Sequence, residues 1–150
     1  KNGEVRSWGR NSRLDNLQAA FLLKRLLSYD KVVERRRTVA AMYQARLESL
    51  EELKLPPAPD TGDHFDVFQN YELEADRRDD LQSYLRSKGI GTLIQWGGKA
   101  VHQWQELGFN CRLPRTELFF ERCIMLPMNT FITDDDVHYI CDNVISFYRS

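Results

Sequence analysis

The chain has 150 residues and a formal net charge of −1, and 42% of its residues are apolar and 29% charged. This composition is typical of a globular protein with a packed core and argues against a disordered or fibrous chain. The near-zero charge supplies no field that would hold the protein on nucleic acid or on an anionic membrane, and no apolar run approaches the roughly 20 residues of a membrane span. We therefore expect neither nucleic acid nor a membrane as a partner.

The three cysteines are odd in number and lack Cys-x-x-Cys spacing, so they indicate neither a disulfide framework nor a zinc site. Reduced thiols are typical of the cytoplasm, and Cys111, Cys123 and Cys141 therefore favour a cytoplasmic protein. The sequence begins with the polar stretch "KNGEVRSWGR" and without methionine. We interpret it as a processed, truncated or excised part of a longer protein.

Two helices are predicted before the first prolines. Asp15 is a suitable N-cap, and apolar residues recur at helical spacing from Leu17 to Leu27. A longer amphipathic helix follows from Val32 and ends before Pro56. Its "ERRR" run could bind phosphate, but arginines on a mixed-charge helix usually face solvent, and a solvated face is favoured.

The segment "PPAPDTGDH" is predicted to be a connector, because proline, aspartate and glycine disfavour regular structure. Residues 65–74 then alternate in the pattern of a half-buried strand, with an irregularity at Gln69 and Asn70. Asp76 is predicted to cap a helix that Gly89 ends, and "IGTLIQW" is predicted to form the next strand.

The last third of the chain is predicted to be mainly helical. "KAVHQWQELG" and "PRTELFFERC" predict short helices, and "IMLP" predicts a brief buried strand. "TDDDVHYICDNVISFY" predicts a final helix with Thr133 as N-cap, and its acids are interpreted as charges favoured at a helix N-terminus rather than as a metal site. The sum is an α+β fold, with two leading helices followed by a small sheet and flanking helices.

Common catalytic signatures are missing from the sequence. It contains no G-x-S-x-G, Walker, G-x-G-x-x-G or H-E-x-x-H motif. The three histidines lie apart without metal-ligand spacing, and a surface or hydrogen-bonded role is favoured for His64 and His138. We therefore assign no catalytic residue and no metal ligand.

The first candidate binding segment lies where the chain enters the first helix. Arg10, Asn11 and Arg13 bring two guanidinium groups and an amide next to free backbone N–H groups, which suits phosphate or carboxylate. In the alternative interpretation, Asn11 shapes a turn and the arginines pair with acids such as Asp15. The pattern alone slightly favours that alternative.

The second candidate segment is "IQWGGKAVHQW". Glycines after a strand let the backbone approach a ligand, and Trp96, Lys99 and His102 offer stacking, charge and hydrogen bonding. The alternative is a simple turn between a strand and a helix, with the tryptophan filling the core. Spacing alone does not separate the two.

Several motifs occur together in a specific order: "GRNSRLDNLQAAFLLKRL", "ERRRTVAAMYQARL", "YLRSKGIGTLIQW" with "HQ" soon after, "LPRTELFFERCIMLPMN" and "TDDDVHYI". In this order they resemble the C-terminal part of the DegT/StrS sugar aminotransferases, over nearly the whole chain. The resemblance implies the small domain of a fold like that of aspartate aminotransferase. It implies a helical segment at 1–55 that joins the domains and contributes to a dimer interface, and an α+β small domain at 56–150.

The family uses pyridoxal 5′-phosphate to move an amino group, usually from glutamate, to a keto carbon of a nucleotide-linked sugar, and it works as a homodimer. Its Schiff-base lysine lies in a large domain upstream of the matched region, and no lysine here fits that motif. The resemblance therefore implies that this chain alone is inactive. Substrates and cofactor would be bound together with the upstream domain.

The resemblance also assigns roles to the two candidate segments. Asn11 and Arg13 are expected to contact the cofactor phosphate of the neighbouring subunit, and Arg10 to contact substrate. Four residues of the second segment are expected at the nucleotide-sugar site, namely Gln95, Trp96, Lys99 and His102. Many members carry His-Tyr-Pro where this chain has Gln-Trp-Gly, which indicates a subgroup with its own sugar or nucleotide preference.

Two other functions remain as alternatives. A noncatalytic interaction or regulatory module would use the leading helices to bind a partner through an apolar stripe that includes Phe21 and Leu23. Nucleic-acid binding through "RSKGIG" and "ERRR" is disfavoured by the net charge.

Overall fold

The computed structural model describes residues 14–60, 62–63 and 65–150. Over these residues the chain forms five α-helices, one three-stranded antiparallel sheet and three short 3-10 turns. The predicted α+β class is confirmed. In chain order the helices and strands are α1 (Asn16–Leu26), α2 (Tyr29–Leu47), β1 (Leu53–Lys54), β2 (Tyr71–Ala75), α3 (Arg78–Ser87), α4 (Pro114–Arg122), β3 (Cys123–Leu126) and α5 (Asp134–Arg149).

The sheet has the order β1-β2-β3, and each neighbouring pair is antiparallel. Tyr71 lies opposite Leu126, and Leu73 lies opposite Ile124, so one face of the sheet is apolar. These residues join apolar side chains of α2, α3 and α5 in a single core cluster. The helices therefore cover one face of the sheet, and the glutamates of β2 lie on the other.

The "ERRR" run of α2 is not the solvated face that the sequence predicts. Arg35 donates hydrogen bonds to the carbonyl oxygen of Ile132 and to Asp134, 2.6 Å away. Arg36 donates to the carbonyl oxygens of Phe68 and Gln69. The prediction is wrong because these arginines bind the polar backbone of loops that cross α2, which local charge pattern does not reveal.

Two predicted strands are shorter in the structure. The strand expected at 65–74 is regular only from Tyr71, and Arg36 binds the irregular backbone just before it. The strand expected in "IGTLIQW" is reduced to one bridge, in which Leu93 pairs with Met125. The left-handed backbone that begins at Trp96 ends the pairing there.

Local sequence signals predicted most of the helix ends correctly. Thr133 caps α5 through a reciprocal capping box, as predicted. Gly89 has φ of +76°, a backbone conformation that favours glycine, and it ends the third helix as predicted. Asp76 does not cap that helix, because Arg77 occupies the N-cap position in a left-handed conformation.

Helix α1 has the predicted N-cap, since the Asp15 side chain accepts a hydrogen bond from the backbone N–H of Gln18 at 2.8 Å. None of its residues is buried. Its exposed large apolar residues, together with those that flank it, are Leu14, Leu17, Phe21, Leu22, Leu23, Leu26, Leu27 and Tyr29. The apolar stripe predicted for this helix therefore faces outward in the described part of the chain.

The cysteines and histidines lie in different surroundings. Cys123 and Cys141 are buried free thiols, and Cys111 is an exposed one. Nδ1 of His138 lies 3.3 Å from the guanidinium of Arg46, in the hydrogen-bonded role that was favoured. His64 lies outside the described residues. None of the helices described here is long and apolar enough to span a membrane.

Candidate functional site

The second candidate segment forms a loop that runs from the end of the sheet to α4. We call residues 95–113 the substrate loop, after the role that the sequence analysis predicts for this segment. Three consecutive residues near its start, Trp96, Gly97 and Gly98, have φ of 54°, 67° and 73°. A left-handed conformation at a residue other than glycine costs about 1–3 kcal/mol. Trp96 is nevertheless held there with 69% of its surface exposed. The turn therefore presents a large aromatic ring to solvent, which favours a binding role over the core-filling alternative.

The next part of the substrate loop is held by short-range contacts. The ammonium group of Lys99 lies 5.1 Å from the ring centroid of Trp104, in a cation–π contact. The Gln103 side chain accepts a hydrogen bond from the backbone N–H of Ala100 at 2.8 Å. The predicted helix over this stretch is only two 3-10 turns, Val101–Gln103 and Gln105–Leu107. Side-chain contacts rather than a regular helix therefore hold this part of the loop.

His102 is anchored to the first turn of α4. Its Nε2 lies 3.2 Å from Oε1 of Glu117, and the two side chains are 7% and 14% exposed. The same carboxylate accepts hydrogen bonds from the backbone N–H of Leu113 and from the guanidinium of Arg112, each at 2.9 Å. One carboxylate thus ties the middle of the loop to its C-terminal end, in a segment that has little regular structure.

Glu117 is ionised in this arrangement. The hydrogen bond from Arg112 lowers the pKa of its carboxyl to about 2, and the bonds from Leu113 and His102 add to the effect. An ionised carboxylate can only accept hydrogen bonds, so Nε2 of His102 must carry the hydrogen. Nδ1 of His102 is then the ring nitrogen that the contact with Glu117 leaves available for a further hydrogen bond.

The structure places the predicted substrate residues on one continuous loop, with Gln95 just before its left-handed turn, Trp96 in the turn and Lys99 just beyond it. A different groove of about 570 Å³ lies beside α2 and is lined by Asp30, Phe65 and others, but by none of the predicted residues. Arg10, Asn11 and Arg13 lie outside the described residues. Their predicted contacts with cofactor and substrate therefore stay predictions.

Sequence reasoning missed Glu117 as part of this site. It was treated only as one residue of a short helix, although "LPRTE" carries a usable signal. Pro114 opens α4, and a glutamate in the first turn is favoured near the helix N-terminus. The contact with His102, 15 residues earlier, is tertiary and could not be found from spacing.

The lysines of the described residues do not form a site for a Schiff base. Lys24, Lys31, Lys54, Lys88 and Lys99 are all exposed. A lysine that forms an imine with a cofactor is normally activated by burial or by a neighbouring cation. The lysines that the structure describes therefore do not fit the reactive ring of such a cofactor.

Family comparison identifies the class of protein. The chain belongs to the DegT/DnrJ/EryC1/StrS aminotransferase family, whose sequence model matches residues 1–145. The fold agrees, since the solved structure of Streptomyces venezuelae DesV in complex with a ketimine intermediate superposes with a TM-score of 0.83 at 31% identity. That match covers 96% of this chain and 39% of the DesV chain.

Particular relatives differ in the roles that their names give. A dTDP-3-amino-3,4,6-trideoxy-alpha-D-glucose transaminase of Streptomyces venezuelae is 33% identical over 147 residues, which is 91% of this chain and 36% of that protein. A "Pleiotropic regulatory protein" of Geobacillus stearothermophilus is 32% identical over 145 residues, which is 94% of this chain and 39% of that protein. This chain therefore spans less than two fifths of the length of either relative.

Proposed function

We propose that this chain is the C-terminal part of an aminotransferase that uses pyridoxal 5′-phosphate. The enzyme transfers an amino group from an amino acid, with glutamate as the expected donor, to a keto-deoxysugar linked to a nucleotide. The observation that carries this proposal is the 33% identity with a dTDP-sugar transaminase across 91% of the chain. The exposed Trp96 on a strained turn supports a substrate-binding role for the loop.

The cofactor, when bound, supplies the electron sink for the reaction, and the protein supplies orientation and charge. In our proposal, Asn11 and Arg13 bind the cofactor phosphate of a neighbouring subunit, and Arg10 contacts substrate. An amide and two guanidinium groups at the entrance to α1 suit a dianionic phosphate. The reactive lysine comes from outside this chain, which agrees with the exposure of the lysines in the part that the structure describes.

The substrate loop binds the nucleotide-linked sugar in this proposal. Trp96 stacks on the base, the ammonium group of Lys99 approaches a phosphate, and Gln95 and His102 hydrogen-bond to the sugar. Stacking of a base on an aromatic side chain is worth about 1–3 kcal/mol. Trp96→Ala is therefore expected to raise KM for the nucleotide sugar about tenfold in the full-length enzyme, while KM for the amino donor stays unchanged.

The helical segment at 1–55 is proposed to join the two domains and to contribute to a homodimer interface. Its exposed apolar residues on α1, among them Phe21 and Leu23, are suited to a surface that another part of the enzyme covers. Residues 56–150 form the proposed small domain. We place the enzyme in the cytoplasm.

The experiment compares the full-length protein with a polypeptide of residues 1–150. The full-length protein is expected to bind the cofactor, seen by visible absorbance, and to aminate a dTDP-linked keto-sugar with glutamate. The 150-residue polypeptide is expected to do neither. Amination by the short polypeptide, or no amination of any nucleotide-linked keto-sugar by the full-length protein, would refute the proposal.

A noncatalytic interaction or regulatory module is the second candidate. It is favoured by the uncovered apolar side of α1 and by the name of the Geobacillus stearothermophilus relative. The double variant Arg10→Ala/Asn11→Ala separates the two functions. Under the enzyme proposal the full-length variant loses cofactor affinity, whereas a normal affinity would favour the interaction module.

A further inference from the structure

Glu117 lies on a short helix that buries none of its residues, yet its side chain has three hydrogen-bond partners in the substrate loop. Its carboxylate receives hydrogen bonds from a backbone N–H, a guanidinium group and an imidazole, which belong to Leu113, Arg112 and His102. The imidazole is 7% exposed, and the carboxylate is 14% exposed. Hydrogen bonds that are shielded from water in this way hold their partners more firmly than exposed ones do.

We propose that Glu117 is a positioning residue for the nucleotide-sugar site. Its carboxylate holds His102 through Nε2 and fixes the substrate loop against α4, so that Nδ1 of His102 is left to form a hydrogen bond with a hydroxyl group of the sugar. This inference rests on the proposed function. It deepens that function because it names the residue that orients His102 towards the sugar.

The geometry distinguishes Glu117 from its neighbour Arg112. Arg112 is 84% exposed and contacts only one oxygen of the carboxylate, whereas Oε1 of Glu117 contacts both His102 and Leu113. Arg112→Ala is therefore a matched control, since it removes one partner of the carboxylate and leaves the link to His102 in place. Exposed ion pairs contribute little, and less than a twofold change is expected for this control.

We expect that Glu117 can be replaced without loss of the fold, because it lies outside the main core cluster. The main core cluster described in the structure has no member between residues 91 and 123. Glu117→Ala is expected to keep the helical circular dichroism and the thermal midpoint of the full-length protein. Glu117→Gln keeps an oxygen that can accept hydrogen bonds from Leu113 and His102, so it serves as the conservative variant.

The test measures the two half-reactions of the full-length enzyme separately. Glu117→Ala is expected to raise KM for the nucleotide sugar about tenfold, equivalent to the loss of one well-placed hydrogen bond. The half-reaction with the amino donor is expected to stay within twofold, and Glu117→Gln to recover most of the loss. Equal slowing of both half-reactions, or no change in either, would overturn the proposal.

A double-variant cycle shows whether Glu117 acts through His102. If it does, His102→Ala/Glu117→Ala has the same KM as His102→Ala, because the positioned group is already absent. Additive effects would overturn the proposal.

Hydrogen exchange tests the positioning without any activity. The amides of residues 101–113 are expected to exchange about tenfold faster in Glu117→Ala than in Arg112→Ala. Equal exchange would overturn the positioning role. A full-length wild-type protein that aminates no nucleotide sugar would instead refute the proposed function, and the exchange result would still decide whether Glu117 fixes the loop.

Discussion

Helices α1 and α5 begin in the same way but have different surroundings. Each has a reciprocal capping box, formed by Asp15 with Gln18 and by Thr133 with Asp136. Helix α1 has no buried residue, whereas α5 buries six, namely Val137, Ile140, Cys141, Asn143, Val144 and Phe147. The capping signal is therefore local, while burial depends on whether α2 and α3 lie against the helix, as they do for α5.

The largest expected effect is a difference in stability loss between a substitution at a buried position of α5 and one at an exposed position of α1. Ile140 is 4% exposed, and Ile140→Ala is expected to lower the free energy of unfolding of the 150-residue polypeptide by about 2–5 kcal/mol, because it leaves a cavity. Leu23 is 68% exposed, and Leu23→Ala is expected to change it by less than about 0.5 kcal/mol. Urea denaturation measures both values, and similar losses would contradict the comparison.

The same Leu23→Ala change in the full-length protein sharpens the comparison. If the apolar side of α1 is covered there, as proposed, the variant loses stability or dissociates at higher protein concentration than wild type. Analytical ultracentrifugation and thermal unfolding measure these effects. A full-length protein as tolerant as the short polypeptide would show that α1 contributes nothing to an interface.

The next effect concerns the polar contacts that hold α5, which have no counterpart among the contacts that the described residues make with α1. Arg35 on α2 binds the carbonyl oxygen of Ile132 and the side chain of Asp134 at the start of α5. Arg35→Ala is expected to lower the free energy of unfolding by about 1–2 kcal/mol, because a poorly solvated carbonyl loses its partner. Arg25→Ala, at an exposed position of α1, is the control, and urea denaturation that gives equal losses would contradict the result.

A smaller effect is expected from the caps themselves. Thr133→Ala removes the N-cap of α5 and is expected to lower global stability by about 1 kcal/mol. Asp15→Ala removes the equivalent hydrogen bond from α1, but that helix is not part of the core, so only its local helicity should fall. Circular dichroism and amide exchange measure the two effects. Loss of global stability in Asp15→Ala would place α1 in the cooperative core.

The smallest expected effect is a difference in acid sensitivity. Hydrogen bonds from the Thr133 hydroxyl and backbone lower the pKa of Asp136. This stabilisation is therefore complete above the unfolded pKa of about 3.9 and is lost as pH falls through the lower folded value. Asp136→Asn should destabilise the protein at pH 6, and the difference from wild type should shrink towards pH 2. Gln18 does not titrate, so Gln18→Ala should show no such change.

The parts of the fold that sequence could predict are those with local causes. Asp15, Thr133 and Gly89 act within a turn of their own position, and each was predicted correctly. The sequence did not predict the two-residue strand β1, because this strand forms by pairing with β2, where Glu74 and Ala75 lie opposite it. A pattern of two residues contains no period that could reveal it.

The candidate site likewise has residues that the sequence predicts and contacts that it does not. The sequence predicted Gln95 and Trp96 at the end of a strand and Lys99 and His102 in a short helix, whereas the structure holds all four in one loop with short 3-10 turns. Their support could not be predicted, since Glu117 approaches His102 only after the chain has turned back into α4. The error in the arginine run of α2 has the same origin, because each guanidinium binds a loop distant in sequence.

Under the proposed function, the left-handed turn at the start of the substrate loop limits which of its positions can change substrate preference. Gly97 and Gly98 have φ of +67° and +73°, a backbone conformation in which a residue with a side chain is strained. A randomised library aimed at new sugars should therefore leave both glycines fixed and vary Gln95, Trp96 and Lys99. Such a library changes the side chains that the loop presents to a ligand and keeps the conformation of its backbone.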